Sequence, residues 1–208
     1  MPLVRKPTGQ SPQPPADASS VLGNLVSERT DDRWAAARAA ADLPDATTAL
    51  AAALRNETDA RVREAMFTSL ARIATRESAD ALIEFLRSDN ANLRAGALDA
   101  LRIMIGGMRE LVPQLLSDRD VDIRILSCEL ARDLPGPEAT TLLCTLLADE
   151  QDGNVCAAAI DVLAEVGGPA ALPFLAECAQ RFRDSPFLGF AIKTATDRIN
   201  SQHTASRA

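Results

Sequence analysis

The sequence has little of the chemistry that most enzymes use. It contains no tyrosine, and its single histidine, His203, lies close to the C-terminus. General acid–base catalysis at neutral pH usually relies on histidine or on a carboxyl group tuned by a second polar group. Neither a G-x-S-x-G motif nor a phosphate-binding glycine loop is present. We therefore predict a protein that is not an enzyme and that needs no cofactor and no metal.

Cysteine pairs at metal-binding spacing and long apolar runs are also missing. The four cysteines are Cys128, Cys144, Cys156 and Cys178. No two of them form a C-x-x-C motif, and each stands among apolar residues, which predicts buried reduced thiols rather than disulfides or a zinc site. No apolar run is long enough to cross a membrane, and no apolar signal core follows Arg5 and Lys6. These features predict a cytoplasmic protein without a membrane span.

The charge balance disfavours nucleic acid as a partner. The formal net charge is −7 at neutral pH, whereas affinity for a phosphate backbone depends on lysine and arginine that displace counterions. We therefore expect neither nucleic acid nor a membrane as the partner, and we expect another protein instead.

The residues that are present form a repeat. Hydrophobic residues make up 47% of the chain and aromatic residues only 3%, so the apolar mass is mainly aliphatic and favours packed helices. An arginine followed by apolar residues at helical spacing recurs at intervals of 30, 31 and 30 residues. We call these four residues the ladder arginines; they are Arg33, Arg63, Arg94 and Arg124. A fixed period of about 30 residues is typical of a solenoid, and six such units fit between positions 21 and 200.

Each unit contains two stretches with helical periodicity. In the second stretch of the second unit, apolar residues fall at offsets 0, 3, 4, 8 and 11 from Val62, with Ser69 at offset 7, and these positions share one helical face. An aspartate or asparagine three residues earlier is suited to capping the helix. Glycine and proline separate neighbouring units. The sequence thus predicts six antiparallel helix pairs.

The D-x-x-V-R opening of the second helix, as in 59–63, and the G-x-P-E-A-like start of the first resemble HEAT repeats. The likeness covers about positions 21 to 200 and is greatest to the short HEAT-like repeats of phycobilin lyase subunits. It implies an all-α, right-handed α-solenoid in which each ladder arginine reaches an aspartate of a neighbouring repeat. An anion-binding row is the alternative role for these arginines. The sequence departs from the pattern at Cys156 and Leu188, which stand where arginine is expected.

The predicted organisation has three parts. Residues 1–19 contain five prolines and are expected to be a disordered N-terminal tail. Residues 20–200 form the HEAT-like repeat domain, and residues 201–208 form a disordered C-terminal tail.

By resemblance, the second helices line the concave face of the solenoid, and this face is the predicted binding surface. Several apolar residues fall on the side of these helices that lies opposite the core face. They either pack between neighbouring repeats or form a groove for a protein segment, with charged residues at its rim. The predicted protein-binding set is Trp34, Phe67, Leu98, Arg102, Ile125, Cys128, Glu129, Arg132, Ile160 and Asp161.

The leading functional hypothesis is a non-enzymatic scaffold or adaptor that binds a protein segment. One alternative is a bilin-lyase-like subunit that acts with a partner chain. Another, which the resemblance implies, is a regulatory adaptor in bacterial signalling. The composition, rich in alanine and arginine and poor in lysine, is typical of a GC-rich bacterial genome. Four of the six phenylalanines lie in the last unit, at Phe174, Phe182, Phe187 and Phe190. They either close the end of the core or form a patch for self-association.

Overall fold

The chain is helical throughout the part that can be described. A computed structural model describes residues 17–43 and 45–205, with the backbone alone for 203–205. These residues form twelve α-helices and no β-strand, which confirms the predicted all-α class. Most of the predicted tail 1–19 lies outside them, although a helix already begins at Ala18. The last helix runs to Ala205, into the segment predicted as the C-terminal tail.

The twelve helices form the six predicted pairs. In chain order they are α1 (Ala18–Asn24) with α2 (Thr30–Ala40), α3 (Ala46–Leu54) with α4 (Ala60–Ile73), α5 (Arg76–Leu86) with α6 (Ala91–Met104), α7 (Leu111–Leu116) with α8 (Val121–Ala131), α9 (Gly136–Asp149) with α10 (Gly153–Val166), and α11 (Leu172–Arg181) with α12 (Pro186–Ala205). Short 3₁₀ turns at Ile105–Gly107 and Pro169–Ala171 precede α7 and α11. No helix of the described residues is long and apolar enough to cross a membrane.

The chain divides into two compact units. Unit 1 is Met1–Ile73 and contains α1 to α4, and unit 2 is Ala74–Ala208 and contains α5 to α12. In unit 1 the second helices α2 and α4 pack against each other. In unit 2 the second helices pack in succession, α6 on α8, α8 on α10 and α10 on α12, while α9 packs against α11. Each helix pair therefore buries apolar surface that it could not cover alone.

The second helices begin at the predicted capping residues. The carboxylate of Asp59 accepts hydrogen bonds from the backbone N–H groups of Arg61 and Val62, at 2.9 and 3.1 Å. Equivalent bonds are accepted by Asn90, Asp120 and Asp152. These caps satisfy N–H groups that have no partner within the helix. The first and last pairs differ. Arg29 precedes α2 and gives no side-chain cap, and the backbone N–H of Leu188 in α12 donates to the hydroxyl of Ser185.

The predicted core face of the second helices is also confirmed. In α4 the buried residues include Val62, Met66 and Leu70. Ser69 is buried on the same face, and its hydroxyl donates a hydrogen bond of 2.7 Å to the carbonyl of Ala37 in α2. This bond satisfies a polar group that would otherwise be buried without a partner.

Among the described residues, the backbone is strained directly after α4. Ala74 has φ of 49°, in the left-handed region. This conformation is common one residue beyond a helix end, where glycine is preferred because a β-carbon clashes with the backbone.

We therefore predict that Ala74→Gly stabilises the protein. The substitution removes the steric strain, and after the greater flexibility of glycine in the unfolded chain is counted, the free energy of unfolding should rise by about 0.5–1 kcal/mol. The matched control is Ala95→Gly at an exposed interior position of α6, which should lower the stability by about 0.5–1 kcal/mol. Urea denaturation measures both, and a loss of stability at both positions would contradict the prediction.

Candidate functional site

The four ladder arginines share one local contact. Each donates a hydrogen bond from Nη1 to the backbone carbonyl six residues earlier, in the loop that precedes its helix. The distances are 2.9 Å for Arg33, 3.3 Å for Arg63, 2.7 Å for Arg94 and 2.9 Å for Arg124. At the position where the fifth pair lacks an arginine, the thiol of Cys156 lies 3.8 Å from the carbonyl of Glu150. The shared role of the arginines is thus to fasten each loop to the helix that follows it.

Two of these arginines also bridge to the next helix pair. Arg33 forms a two-pronged ion pair with Glu57, with N–O distances of 2.7 and 3.1 Å, and Arg124 pairs with Glu150 at the same two distances. The side chains of Glu57 and Glu150 are only 3% and 7% exposed. Paired guanidinium and carboxylate groups in this geometry form strong, directional hydrogen bonds.

The prediction that every ladder arginine reaches an aspartate is wrong. The two bridging partners are glutamates. Arg63 has no carboxylate partner within unit 1, and Arg94 has none among the described residues of unit 2. In the pair that follows Arg94, the position equivalent to Glu57 and Glu150 is occupied by Asp118. Its shorter side chain pairs with Arg87 at 2.6 Å instead. A glutamate six residues before the next ladder position is the sequence signal that would have identified the two bridges.

The bridging glutamates are held in the ionised state. Burial by itself raises the pKa of Glu150, but hydrogen bonds from Arg124 and from the backbone N–H groups of Asp152 and Gln151 outweigh it, so the pKa lies below its ordinary value. The pKa of Glu57 is lowered by the same balance, with Arg33 as the donor. Each glutamate therefore serves both as the arginine's partner and as an acceptor for its own loop.

The structure buries some of the predicted protein-binding residues and leaves others at the surface. Phe67, Cys128 and Ile160 are buried. Of the two interpretations that the sequence left open, packing between neighbouring repeats therefore holds for these three residues, and their place in the predicted protein-binding set is wrong. Neighbouring second helices pack closely enough to cover this position, as the alternative interpretation of the sequence supposed. The side chains of Trp34, Leu98 and Ile125 are half-buried and reach the surface. In each unit, we call the solvent-facing side of the second helices the second-helix surface; these helices are α2 and α4 in unit 1 and α6, α8, α10 and α12 in unit 2.

The predicted charged residues lie on this surface and form ion pairs between successive helices of unit 2. Arg102 on α6 pairs with Asp133, which follows α8, at 2.6 Å. Arg132, which follows α8, pairs with Glu129 at 3.1 Å, with Asp161 on α10 at 2.9 Å and also with Glu165. Its hydrogen bond with Glu165 is the largest of the effects that raise its pKa.

Unit 1 contains equivalent ion pairs between its second helices, and the residues that form them were not predicted from the sequence. Arg61 pairs with Asp31 at 3.4 Å, and Arg72 pairs with Asp42 at 3.0 Å. In each pair the partners are 30 residues apart in the sequence, one repeat period. Opposite charges separated by one period are the signal that would have found them.

The cysteines are buried and free, as predicted. Burial raises the pKa of the Cys128 thiol to about 12 and that of Cys144 to about 11. The neighbouring Cys156 thiol and the Arg181 guanidinium hold the pKa of the Cys178 thiol below its ordinary value. The described residues contain no group of three or more His, Cys, Asp and Glu side chains that could hold a metal ion.

The bridges lead to a prediction about stability. Arg124→Ala should leave the nearly buried Glu150 without its guanidinium partner and lower the free energy of unfolding by about 1–3 kcal/mol. Arg94→Ala is the matched control, since it removes the same contact with the loop carbonyl but no carboxylate bridge, and it should cost less than about 1 kcal/mol. Equal urea midpoints for the two variants would show that the bridge does not stabilise the fold.

The lowered pKa of Glu150 predicts a dependence on pH. Its ordinary value is about 4.5. Because the pKa is lower in the folded state, the bridge stabilises the protein above about pH 4.5, and this contribution is lost as the pH falls through the folded-state value. Glu150→Gln should therefore be less stable than the wild type at neutral pH, and the difference should shrink in acid. A difference that stays constant with pH would contradict this assignment.

Comparisons with known proteins agree with this architecture. The family model for HEAT repeats matches residues 19–104 and 108–187. A structure from work on microtubule plus-end tracking by XMAP215, CLIP-170 and EB1 is similar, with 14% identity and a TM-score of 0.55, over 86% of this chain and 90% of that one. An archaeal HEAT-like repeats protein from Thermococcus onnurineus NA1 has 16% identity and a TM-score of 0.48, over 88% and 87% of the two chains.

The complex of CpcE and CpcF of phycocyanin lyase from Nostoc sp. PCC7120 has 18% identity and a TM-score of 0.40, over 96% of this chain and 99% of that one. At 14% identity the first of these likenesses concerns the fold alone, and no conclusion is drawn from the two with TM-scores below 0.5. A comparison with curated protein sequences finds no significant match. The family model covers well over half of the sequence and agrees with the helix pairs, their caps and the recurring arginines, which confirms the predicted family: the chain belongs to the HEAT-repeat family.

Proposed function

We propose that this chain is a non-enzymatic scaffold or adaptor and that the second-helix surface of unit 2 binds a protein segment. The HEAT-repeat fold is consistent with a protein-interaction scaffold. The observation that supports this surface is the pair of half-exposed apolar side chains Leu98 and Ile125, which lie on the neighbouring helices α6 and α8. Apolar side chains within a polar rim are typical of peptide-binding surfaces.

The rim supports the choice of surface because its charges are held in place. Arg132 has a side chain that is only 18% exposed, and carboxylates on both sides of it fix its position. Groups that are ordered before binding lose less conformational freedom when a partner arrives. Carboxylates outnumber arginines at this rim. We therefore expect a bound segment that places an apolar side chain over Leu98 and Ile125 and a basic side chain at the rim.

The test is selection from a library of displayed random peptides with the purified protein. The selected peptides should bind about tenfold more weakly to a Leu98→Ser, Ile125→Ser double variant, because the apolar anchor contact is lost. Its melting temperature should change little. The matched control is Ile83→Ser, since Ile83 is equally half-exposed but lies on the first helix α5.

Two results would contradict the proposal. One is peptides that bind the double variant as well as the wild type. The other is a loss of several kcal/mol of stability in the double variant, as for a core truncation, which would mean that these side chains pack the interior.

Self-association through the C-terminal pair is a second candidate, and one observation favours it. Phe187 and Phe190 on α12 are 66% and 73% exposed. They line a shallow cavity of about 240 Å³ together with Ala157 on α10. An interpretation of all four C-terminal phenylalanines as an end cap of the core does not account for this exposure. The bilin-lyase-like subunit and the bacterial signalling adaptor stay predictions from the sequence.

A further inference from the structure

Trp34, the only tryptophan of the chain, lies on the second-helix surface of unit 1, and two arginines lie over its ring. The guanidinium carbon of Arg38 is 4.8 Å from the centre of its ring system, and that of Arg61 is 4.4 Å away. Arg38 comes from the same helix, α2, and Arg61 comes from α4. At these distances each guanidinium is attracted to the aromatic face, so the ring holds both cations at one place.

These residues line a surface cavity of about 290 Å³. Its other charged residues are Arg72 and Glu64, so the lining carries three guanidinium groups and one carboxylate. The partners of Arg61 and Arg72 are Asp31 and Asp42, which do not line the cavity. The lining therefore has an excess of positive charge, although the chain as a whole is acidic.

The arginines of this cavity have hydrogen-bonding capacity to spare. Arg38 is exposed and forms neither an ion pair nor a hydrogen bond with the described residues of unit 1. Arg61 and Arg72 each use one nitrogen in an ion pair with an exposed aspartate, and such pairs contribute little stability. Arg132 in unit 2 differs, since it already pairs with three carboxylates. The donors around Trp34 are thus free to bind an external acceptor.

We propose that the cavity around Trp34 is a second binding site and that it takes the carboxylate side chains of an acidic segment of another protein. Arg38 receives a carboxylate on its unused donors, since the planar guanidinium matches a carboxylate with two parallel hydrogen bonds. Arg72 offers a second position for a carboxylate, and the exposed edge of Trp34 packs against the aliphatic part of the bound side chain. This proposal does not depend on the site proposed in unit 2.

A carboxylate fits this site better than a phosphate group. Glu64 lines the cavity, and Asp31 and Asp42 lie beside it. Arg61 and Arg72 each already pair with one of these aspartates, so Arg38 is the lining guanidinium that offers an unpaired charge. One unpaired positive charge matches the single negative charge of a carboxylate better than a group with a charge near −2. A nucleic acid strand meets the further obstacle of the net charge of −7. The same repulsion predicts that affinity depends on one or two well-placed carboxylates and not on the total charge of the partner.

The test uses Trp34 as its own reporter. The full-length chain is titrated with a short capped peptide of alternating Glu and Ala while tryptophan fluorescence is recorded. We expect a saturable change in emission and no change with the matched Gln and Ala peptide. Arg38→Gln should weaken binding about tenfold or more, because it removes the two charge-assisted hydrogen bonds. Arg38→Lys, which keeps the charge but not the planar fork, should give an intermediate affinity.

Two variants serve as controls, with a dye-labelled Glu and Ala peptide followed by fluorescence polarisation. Arg198→Gln removes an exposed arginine of α12 and should leave the affinity unchanged. The Leu98→Ser, Ile125→Ser double variant should also bind this peptide normally, so failure of the unit 2 site and failure of this site can be told apart.

Several results would overturn the proposal. These are an equal response to the Gln peptide, an affinity that Arg38→Gln does not change, and tighter binding of a phosphoserine peptide or of oligothymidylate than of the Glu peptide. Self-association that Arg38→Gln abolishes, without binding of the Glu peptide, would assign the cavity to a second copy of this chain.

Discussion

Packing between consecutive second helices, at a spacing of one repeat period, is the interaction on which the rest of each unit depends. It covers the apolar side chains of neighbouring pairs, as in α2 against α4 and in the succession α6, α8, α10 and α12. Cys128 and Ile160 are buried by this packing although they face away from the first helices. The wide buried arc that results leaves only part of each second helix for solvent and partners.

The spacing of about 30 residues also decides which charges can meet. Residues one period apart occupy equivalent places on adjacent helices, so Arg61 reaches Asp31 and Arg102 reaches Asp133. These pairs are mostly exposed and are worth little individually. Their effect is positional, because they determine which guanidinium groups on the second-helix surface are occupied and which remain open.

The ladder arginines contribute both to the local structure of the loops and to the packing between helix pairs. Every ladder arginine fastens its own loop through a backbone carbonyl, and within each unit one of them, Arg33 in unit 1 and Arg124 in unit 2, extends this contact to the next pair of the described residues. A glutamate at the receiving position is long enough to meet the arginine and still accept backbone N–H bonds, as Glu150 does. Both units thus contain the same contact between a ladder arginine and a loop carbonyl, and each unit contains one arginine that also bridges to the next helix pair.

The periodicity of the sequence was sufficient to predict the helix pairs, their capping residues and the HEAT-repeat family, because these depend on local hydrogen bonds and on the placement of apolar residues along one helix. The same periodicity could not tell whether Phe67 and Ile160 face solvent or a neighbouring helix, since the answer depends on how closely two helices approach. It also could not show that Trp34 contacts both Arg38 and Arg61, because one of these contacts joins residues from different helix pairs. Sequence alone therefore determined the repeating unit, while tertiary packing decided which side chains remain at the surface and which charges stay open to a partner.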